Sequence, residues 1–381
     1  MTTEQKQALP LHRAALQLLP GLALTAGVAG VGLISSEWIG TELLGFDKSP
    51  VSGIMMAIIF GLLIGNLFTL PVWLQPGITF SLKKVLRLGI ILLGIRLSLG
   101  DVLELGAIGI PLVIVCIVGT LWLVQWLGKR LGLPHRINTL IAVGTSICGA
   151  TAIVATGPAI DAEEEELTYA VANITVFGIL AMFLYPYLAH GLFLADLRSA
   201  GLFLGTAIHE TAQVAGSGLI YDQLYDAEET LDVATVTKLV RNVLMAIVIP
   251  LMATRHRRQT VTNDTETPGS KKRITFLSLF PVFILGFLLL AVVRTVGDET
   301  LKQGAAWGLF GESGWDSLTT ATKEWAERFL AVAMAGVGLG TSFKQLRGLG
   351  LKPFYVGLAA SLSVGVLSVA GIALLNVLGL N

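Results

Sequence analysis

Residues 205–218 read GTAIHETAQVAGSG, a histidine, a glutamate and a glutamine set among glycine, alanine, serine and threonine. The stretch that contains them is as long as a membrane-crossing helix and otherwise free of charge, which places the segment at bilayer depth. Ionisable side chains there are costly unless paired or wetted, and they face a bundle interior or a water-filled cavity. His209 and Glu210 therefore mark a site, and the rest of the chain has to say what kind.

Working outward, 54% of the 381 residues are hydrophobic and 14% charged, with a mean hydropathy of +0.75. That excludes a soluble domain and reads as an all-α polytopic membrane protein. Apolar runs able to cross a ~30 Å hydrocarbon core fall near 14–34, 51–69, 80–99, 105–128, 138–160, 167–190, 199–220, 231–253, 274–296, 324–343 and 353–378. They make about eleven transmembrane helices. Lys and Arg gather before spans one and three, between four and five (Lys129, Arg130, Arg136), after eight (Arg255, Arg257, Arg258, Lys271, Lys272, Arg273) and after ten (Lys344, Arg347, Lys352). Glu37, Asp101, the run Asp161 to Glu166 and the stretch Asp222 to Asp232 fall on the alternate loops. Basic loops stay cytoplasmic, so the N-terminus is expected inside and the C-terminus in the periplasm.

Residues 14–34 are long for a signal-peptide core and lack a clean A-x-A site, so they read as an anchor span. Cys116 and Cys148 both lie in apolar segments and imply no disulfide framework. The polar stretch TRHRRQTVTNDTETPGSKKR at 254–273 reads as a flexible cytoplasmic linker. Residues 298–322, with Trp307, Phe310 and Trp315, read as an outer segment anchored at the interface.

Secondary transporters are often built from inverted repeats. Lys84-Val-Leu-Arg87 in span three matches Lys238-Leu-Val-Arg241 in span eight, and Gly144-Thr145-Ser146 in span five matches Gly340-Thr341-Ser342 in span ten. Both pairs lie five spans apart. They predict a tail and extra helix over 1–50, a first inverted repeat over 51–190 and a second over 199–253 and 274–381. A longer match cuts across this scheme: GTSICGATAIVATGPAID at 144–161 aligns without gaps to GTAIHETAQVAGSGLIYD at 205–222, two spans away. Convergence would explain it, and so would two re-entrant hairpins entering from opposite faces. Full but broken helices are the expectation, because each segment is about one span long and leaves only short arms for a hairpin.

Both segments are poor in bulky aliphatics. Small residues allow close helix packing, and unwound backbone frees N–H and C=O groups that can bind ions in a cavity. Gly144, Gly149, Gly157 and Pro158 favour such unwinding in the first segment. In the second, Gln213 is four residues from His209 and three from Glu210, within reach of either on a helix. His209 and Glu210 offer the protonatable groups that proton coupling requires. The string His-Glu-Thr-Ala-Gln lacks the second histidine of a zinc-protease helix, so no metal, cofactor or catalytic residue is expected. Cys148, which aligns with His209, reads as an inert cysteine rather than a nucleophile. Lys238, Arg241 and Asn242 share one face of span eight. Arg241 lies about ten residues inside that span, too deep to snorkel, and reads as an anion site or a counter-charge to Glu210. Arg96, close to the outer interface, is a lesser candidate.

TSICGATAIVA at 145–155, GTAIHETAQVAGSG at 205–218 and KLVRN at 238–242 together resemble the sulfate exporter family, over most of the chain from about residue 50. The resemblance implies kinship with the cation/proton antiporter and bile-acid symporter superfamily. It also implies inverted five-helix repeats, a scaffold domain, a moving core domain with broken crossing helices, and a bacterial inner membrane location. Its motifs fall on Thr145, Ser146, Cys148, Gly149 and Thr151, on His209, Glu210, Thr211 and Gln213, and on Lys238, Arg241 and Asn242.

The expected function is secondary active transport of a small anion, a sulfur oxyanion or sulfonate, coupled to protons through alternating access. Ser146, Cys148, Thr151, Gln213, Lys238, Arg241 and Asn242 are expected to bind substrate, and His209 and Glu210 to couple it. An anion channel or a sodium-coupled transporter is the alternative, with an intramembrane enzyme ranked below both. Besides the anion, the lipid bilayer is an expected partner and nucleic acid is not; homodimer formation stays open.

Overall fold

A computed structural model describes residues 11–43, 49, 51–194, 196–260, 281–342 and 351–379. Regular structure among them is helical, apart from one isolated bridge between Ala306 and Phe310. In chain order the α-helices are α1 (Leu11–Trp38), α2 (Gly53–Leu67), α3 (Gln75–Phe80), α4 (Leu86–Leu93), α5 (Leu99–Arg130), α6 (His135–Ser146), α7 (Ala150–Thr156) and α8 (Glu164–Phe193). They continue as α9 (Leu197–Ala207), α10 (Thr211–Tyr225), α11 (Glu228–Val243), α12 (Met245–Thr260), α13 (Phe283–Leu301), α14 (Glu312–Gly340) and α15 (Leu351–Val377). Among the described residues, five stretches are long and apolar enough to cross a membrane: Leu16–Leu43, Leu99–Arg130, Glu164–Phe193, Glu228–His256 and Lys352–Val377.

The chain forms two compact units, Met1–Gly89 with Glu327–Ser342, and Ile90–Ala326 with Phe343–Asn381. In the first, α1 packs on α2 and α3 through small residues. Thr25 and Ser81 share a buried hydroxyl bond of 2.8 Å, and Asn66 Nδ2 donates to Thr341 O at 2.9 Å.

The second unit holds the segments singled out in the sequence, and two arginines define its ends. At one end Arg96 Nε lies 2.8 Å from Asp232 and Nη2 lies 3.1 Å from Glu228, both on the first turns of α11. At the other, Arg136 Nη1 donates to Asp161 O at 2.6 Å and Nη2 lies 3.4 Å from Glu163. Arg136 is on the first turn of α6, and Asp161 follows α7, so the segment 138–160 turns back on itself instead of crossing. The segment 199–220 does the same from the other end. Leu197, which opens α9, accepts at its carbonyl from Thr230 Oγ1 at 3.2 Å, on the first turn of α11, and α10 ends just before it at Tyr225. His190, near the end of α8, stacks on Tyr225 with ring centroids 3.7 Å apart.

The expectation of full broken helices crossing the bilayer is thus corrected to two helical hairpins, α6–α7 and α9–α10, entering from opposite ends. Their arms of 12, 7, 11 and 15 residues rise at most ~22 Å, short of a ~30 Å core. The shortness that argued against hairpins is what keeps each arm below the length of a full crossing. The acidic run 161–166, expected on the outer side, consequently lies at the same end as Arg136.

Two further expectations change. Residues 254–260 continue α12 through Thr260, and the rest of the linker expected over 254–273 lies outside the described residues. In the segment 298–322, Trp315 is buried and donates Nε1–H to Asp298 at 2.7 Å, so it serves packing rather than interface anchoring. Trp307 and Phe310 do stay exposed.

Candidate functional site

The two hairpins break at Ile147–Cys148–Gly149 and Ile208–His209–Glu210, positions that coincide in the gapless alignment of 144–161 with 205–222. In each hairpin the first arm brings its C-terminus to the tip and the second arm starts there. Two sets of unpaired carbonyls and two sets of unpaired N–H groups therefore meet inside the unit. The carbonyl ends carry partial negative charge and the N–H ends partial positive charge.

Helix α11 answers the carbonyls. Lys238 Nζ donates to Ile147 O at 3.0 Å, to Ile208 O at 2.9 Å and to His209 O. Arg241 donates from Nε to Ser146 O at 2.6 Å, from Nη1 to Thr206 O at 2.6 Å and Ile208 O at 3.2 Å, and from Nη2 to Thr145 O. Each side chain is fully buried and each bonds both hairpins. The spacing of three puts both heads on the same face of α11, one turn apart. Neither needs an acidic partner, because the helix C-termini already supply the negative field.

Glu210 answers the N–H groups. It is the N-cap of α10, its Oε1 accepts from Ala150 N at the start of α7 at 3.2 Å, and it is half-buried. Gln213 completes a capping box, with Oε1 accepting from Glu210 N at 3.2 Å and Nε2 donating to Thr175 O of α8 at 3.3 Å. Gly149 stands where only glycine fits: its φ is +69°, and the Glu210 side chain fills the space a Cβ would need. Asn242 Nδ2 donates to Thr211 Oγ1 at 3.1 Å, and its buried Oδ1 has no protein partner among the described residues.

The structure thus gathers Ser146, Cys148, His209, Glu210, Gln213, Lys238, Arg241 and Asn242 around the tips, with differing roles. The Ser146 hydroxyl bonds within its own helix to Ala142 O, leaving its carbonyl as the functional atom. Cys148 is buried with Sγ 3.4 Å from Met245 Sδ. Thr151 is exposed on the first turn of α7. Arg96 lies elsewhere, in the ion cluster with Asp232 and Glu228, and is a structural cation.

Sequence reasoning missed Ser361 and Ser368 of α15. Ser361 Oγ lies 3.0 Å from His209 Nε2, and Ser368 Oγ lies 2.6 Å from Thr206 Oγ1. Their spacing of seven on a mostly apolar helix puts them on one face, and that was the available signal.

The sequence pattern of the family described as Conserved hypothetical protein 698 matches residues 20–357. The chain belongs to that family. Among its relatives, a UPF0324 membrane protein of Yersinia pestis is 32% identical over 380 residues, covering 94% of each chain. A UPF0324 membrane protein of Corynebacterium glutamicum is 32% identical, covering 92% of this chain and 91% of its own. The UPF0324 inner membrane protein YeiH of Escherichia coli K12 is 32% identical, covering 93% of each. Membership in the Conserved hypothetical protein 698 family makes this chain a membrane protein, in agreement with its long apolar helices.

Proposed function

We propose that the chain is a secondary active transporter of a small anion, coupled to protons and working by alternating access. The observation that carries this reading is the meeting of two interrupted hairpins, entered from opposite ends, with half-buried Glu210 between their tips. Hairpins that stop at mid-depth give each end its own approach to one shared point, the arrangement alternating access uses. Glu210 is the proton carrier. As a carboxylate it occupies Ala150 N–H and repels an arriving anion. Once protonated it loses both the repulsion and the strong hydrogen bond, so anion and proton move together. Asn242 and Thr211, joined by a 3.1 Å hydrogen bond, supply neutral polar groups beside it. His209, held by Ser361 and almost fully buried, positions the tip. A sulfur oxyanion or sulfonate is the substrate class, on the resemblance of the tip motifs to sulfate exporters.

Turning two of the eleven expected spans into hairpins leaves nine crossings. That is still an odd number, with the N-terminus in the cytoplasm and the C-terminus in the periplasm. Basic Lys129, Arg130 and Arg136 mark the cytoplasmic end, and the chain sits in the inner membrane.

The test is uptake of labelled sulfate and small sulfonates into proteoliposomes under an imposed pH gradient. Wild type is expected to show saturable, pH-driven uptake and counterflow. Glu210→Gln is expected to keep exchange and lose the pH dependence. An unchanged pH profile in that variant removes Glu210 from coupling, and flux without counterflow makes the protein a channel.

A further inference from the structure

Interrupted helices that meet at mid-depth usually present carbonyl oxygens to a bound cation. Here the carbonyls of Thr145, Ser146 and Ile147 from one tip and of Thr206, Ile208 and His209 from the other make such an oxygen cage, and it is filled by the chain itself. We infer that Lys238 and Arg241 are tethered cations standing where a coupling metal ion would bind, so that transport is independent of sodium and the anion touches neither side chain.

Donor counting supports this. An ammonium has three N–H groups and Lys238 Nζ makes three bonds, all to backbone oxygens, which leaves none for a substrate anion. Arg241 spends four of its five N–H groups on backbone oxygens, from all three of its nitrogens. Neither side chain is exposed to solvent. A metal ion entering this cage would have to displace an ammonium from three carbonyls without offering it another partner. The same bonds join both tips to α11, so the two hairpins and α11 move as one body. Lys238 and Arg241 are positioning residues in the transport reading. The inference rests on that reading only for its consequence on coupling.

The experiment follows thermal unfolding of the purified full-length protein in choline, sodium and ammonium chloride at equal ionic strength. Wild type is expected to unfold at the same temperature in all three salts. Lys238→Ala empties the ammonium's place and is expected to unfold about 5 °C lower or more, with at least half of the loss recovered in ammonium and none in choline. Lys238→Met fills that place with an apolar chain and is expected to show the loss without the recovery. A wild type stabilised by sodium over choline overturns the inference, and this arm decides even if the variants fail to fold. A Lys238→Ala protein as stable as wild type, or rescued equally by choline, overturns it as well. Transport is not needed for any of these readouts. Absent anion flux would sink the transport reading alone, whereas sodium-dependent wild-type stability would sink this inference with flux intact.

Discussion

Arg241 shows how far single residues could be read. Its depth in the span and its spacing from Lys238 were plain in the sequence, but its partners were not. They are backbone carbonyls, which every residue carries and which only a break in a helix sets free. Gln213 was expected within reach of Glu210 from their spacing of three, and it does meet Glu210, through a capping box that the structure reveals. Arg241→Met leaves the carbonyls of Thr145, Ser146 and Thr206 without donors, and each buried unpaired group costs about 1–3 kcal/mol. The variant is expected not to accumulate as a folded species on size exclusion, and Arg241→Lys, with one charge and a shorter reach, to fall between it and wild type. At the rim, the His135 ring stacks on His256 with centroids 5.4 Å apart. Partial burial first, then His256 and Arg255, pushes the His135 imidazole below its ordinary value. Above about pH 6.5 both folded and unfolded forms are neutral there and nothing is gained or lost. As pH falls through that value the unfolded chain takes up the proton first, so stability drops. His135→Gln is expected to flatten the acid side of a melting-temperature profile, and a profile identical to wild type would remove His135 from it.

The elements taught a different lesson. Hydropathy and helical periodicity counted the segments 138–160 and 199–220 correctly as apolar helix, yet neither measure registers a reversal of direction. One span and two half-length arms contain nearly the same number of residues. The gapless match between 144–161 and 205–222 did hold the answer, since both breaks fall at equivalent positions. Gly149 makes the turn in the first hairpin with φ +69° and lies against Glu210. Gly149→Ala therefore meets both backbone strain, about 1–2 kcal/mol, and a side chain with no room to yield. Its melting temperature is expected to fall well below wild type, together with loss of the pH-dependent uptake that Glu210 confers. A fully stable Gly149→Ala protein would mean that the tip is looser than drawn.

For the whole molecule, composition alone was enough to exclude a soluble fold, and alternating charge gave a plausible topology. The proposed topology has nine crossings in place of the eleven expected, because the segments 138–160 and 199–220 form hairpins. Single cysteines test this directly, because the native Cys116 and Cys148 are both buried. Leu131→Cys and Glu164→Cys are expected to react with an impermeant maleimide from the same face, and Asp226→Cys from the opposite one. Eleven full crossings would instead put Leu131 and Glu164 on opposite faces. The cationic clasp on α11 also bears on how the protein is made. The tip of the α6–α7 hairpin receives its donors from residues 91 to 96 positions further along the chain. While the ribosome is still translating that interval, the hairpin carries bare carbonyls into a medium without water to satisfy them. It can seat only after α11 has been synthesised and inserted, so an element made earlier in this protein is completed by one made later.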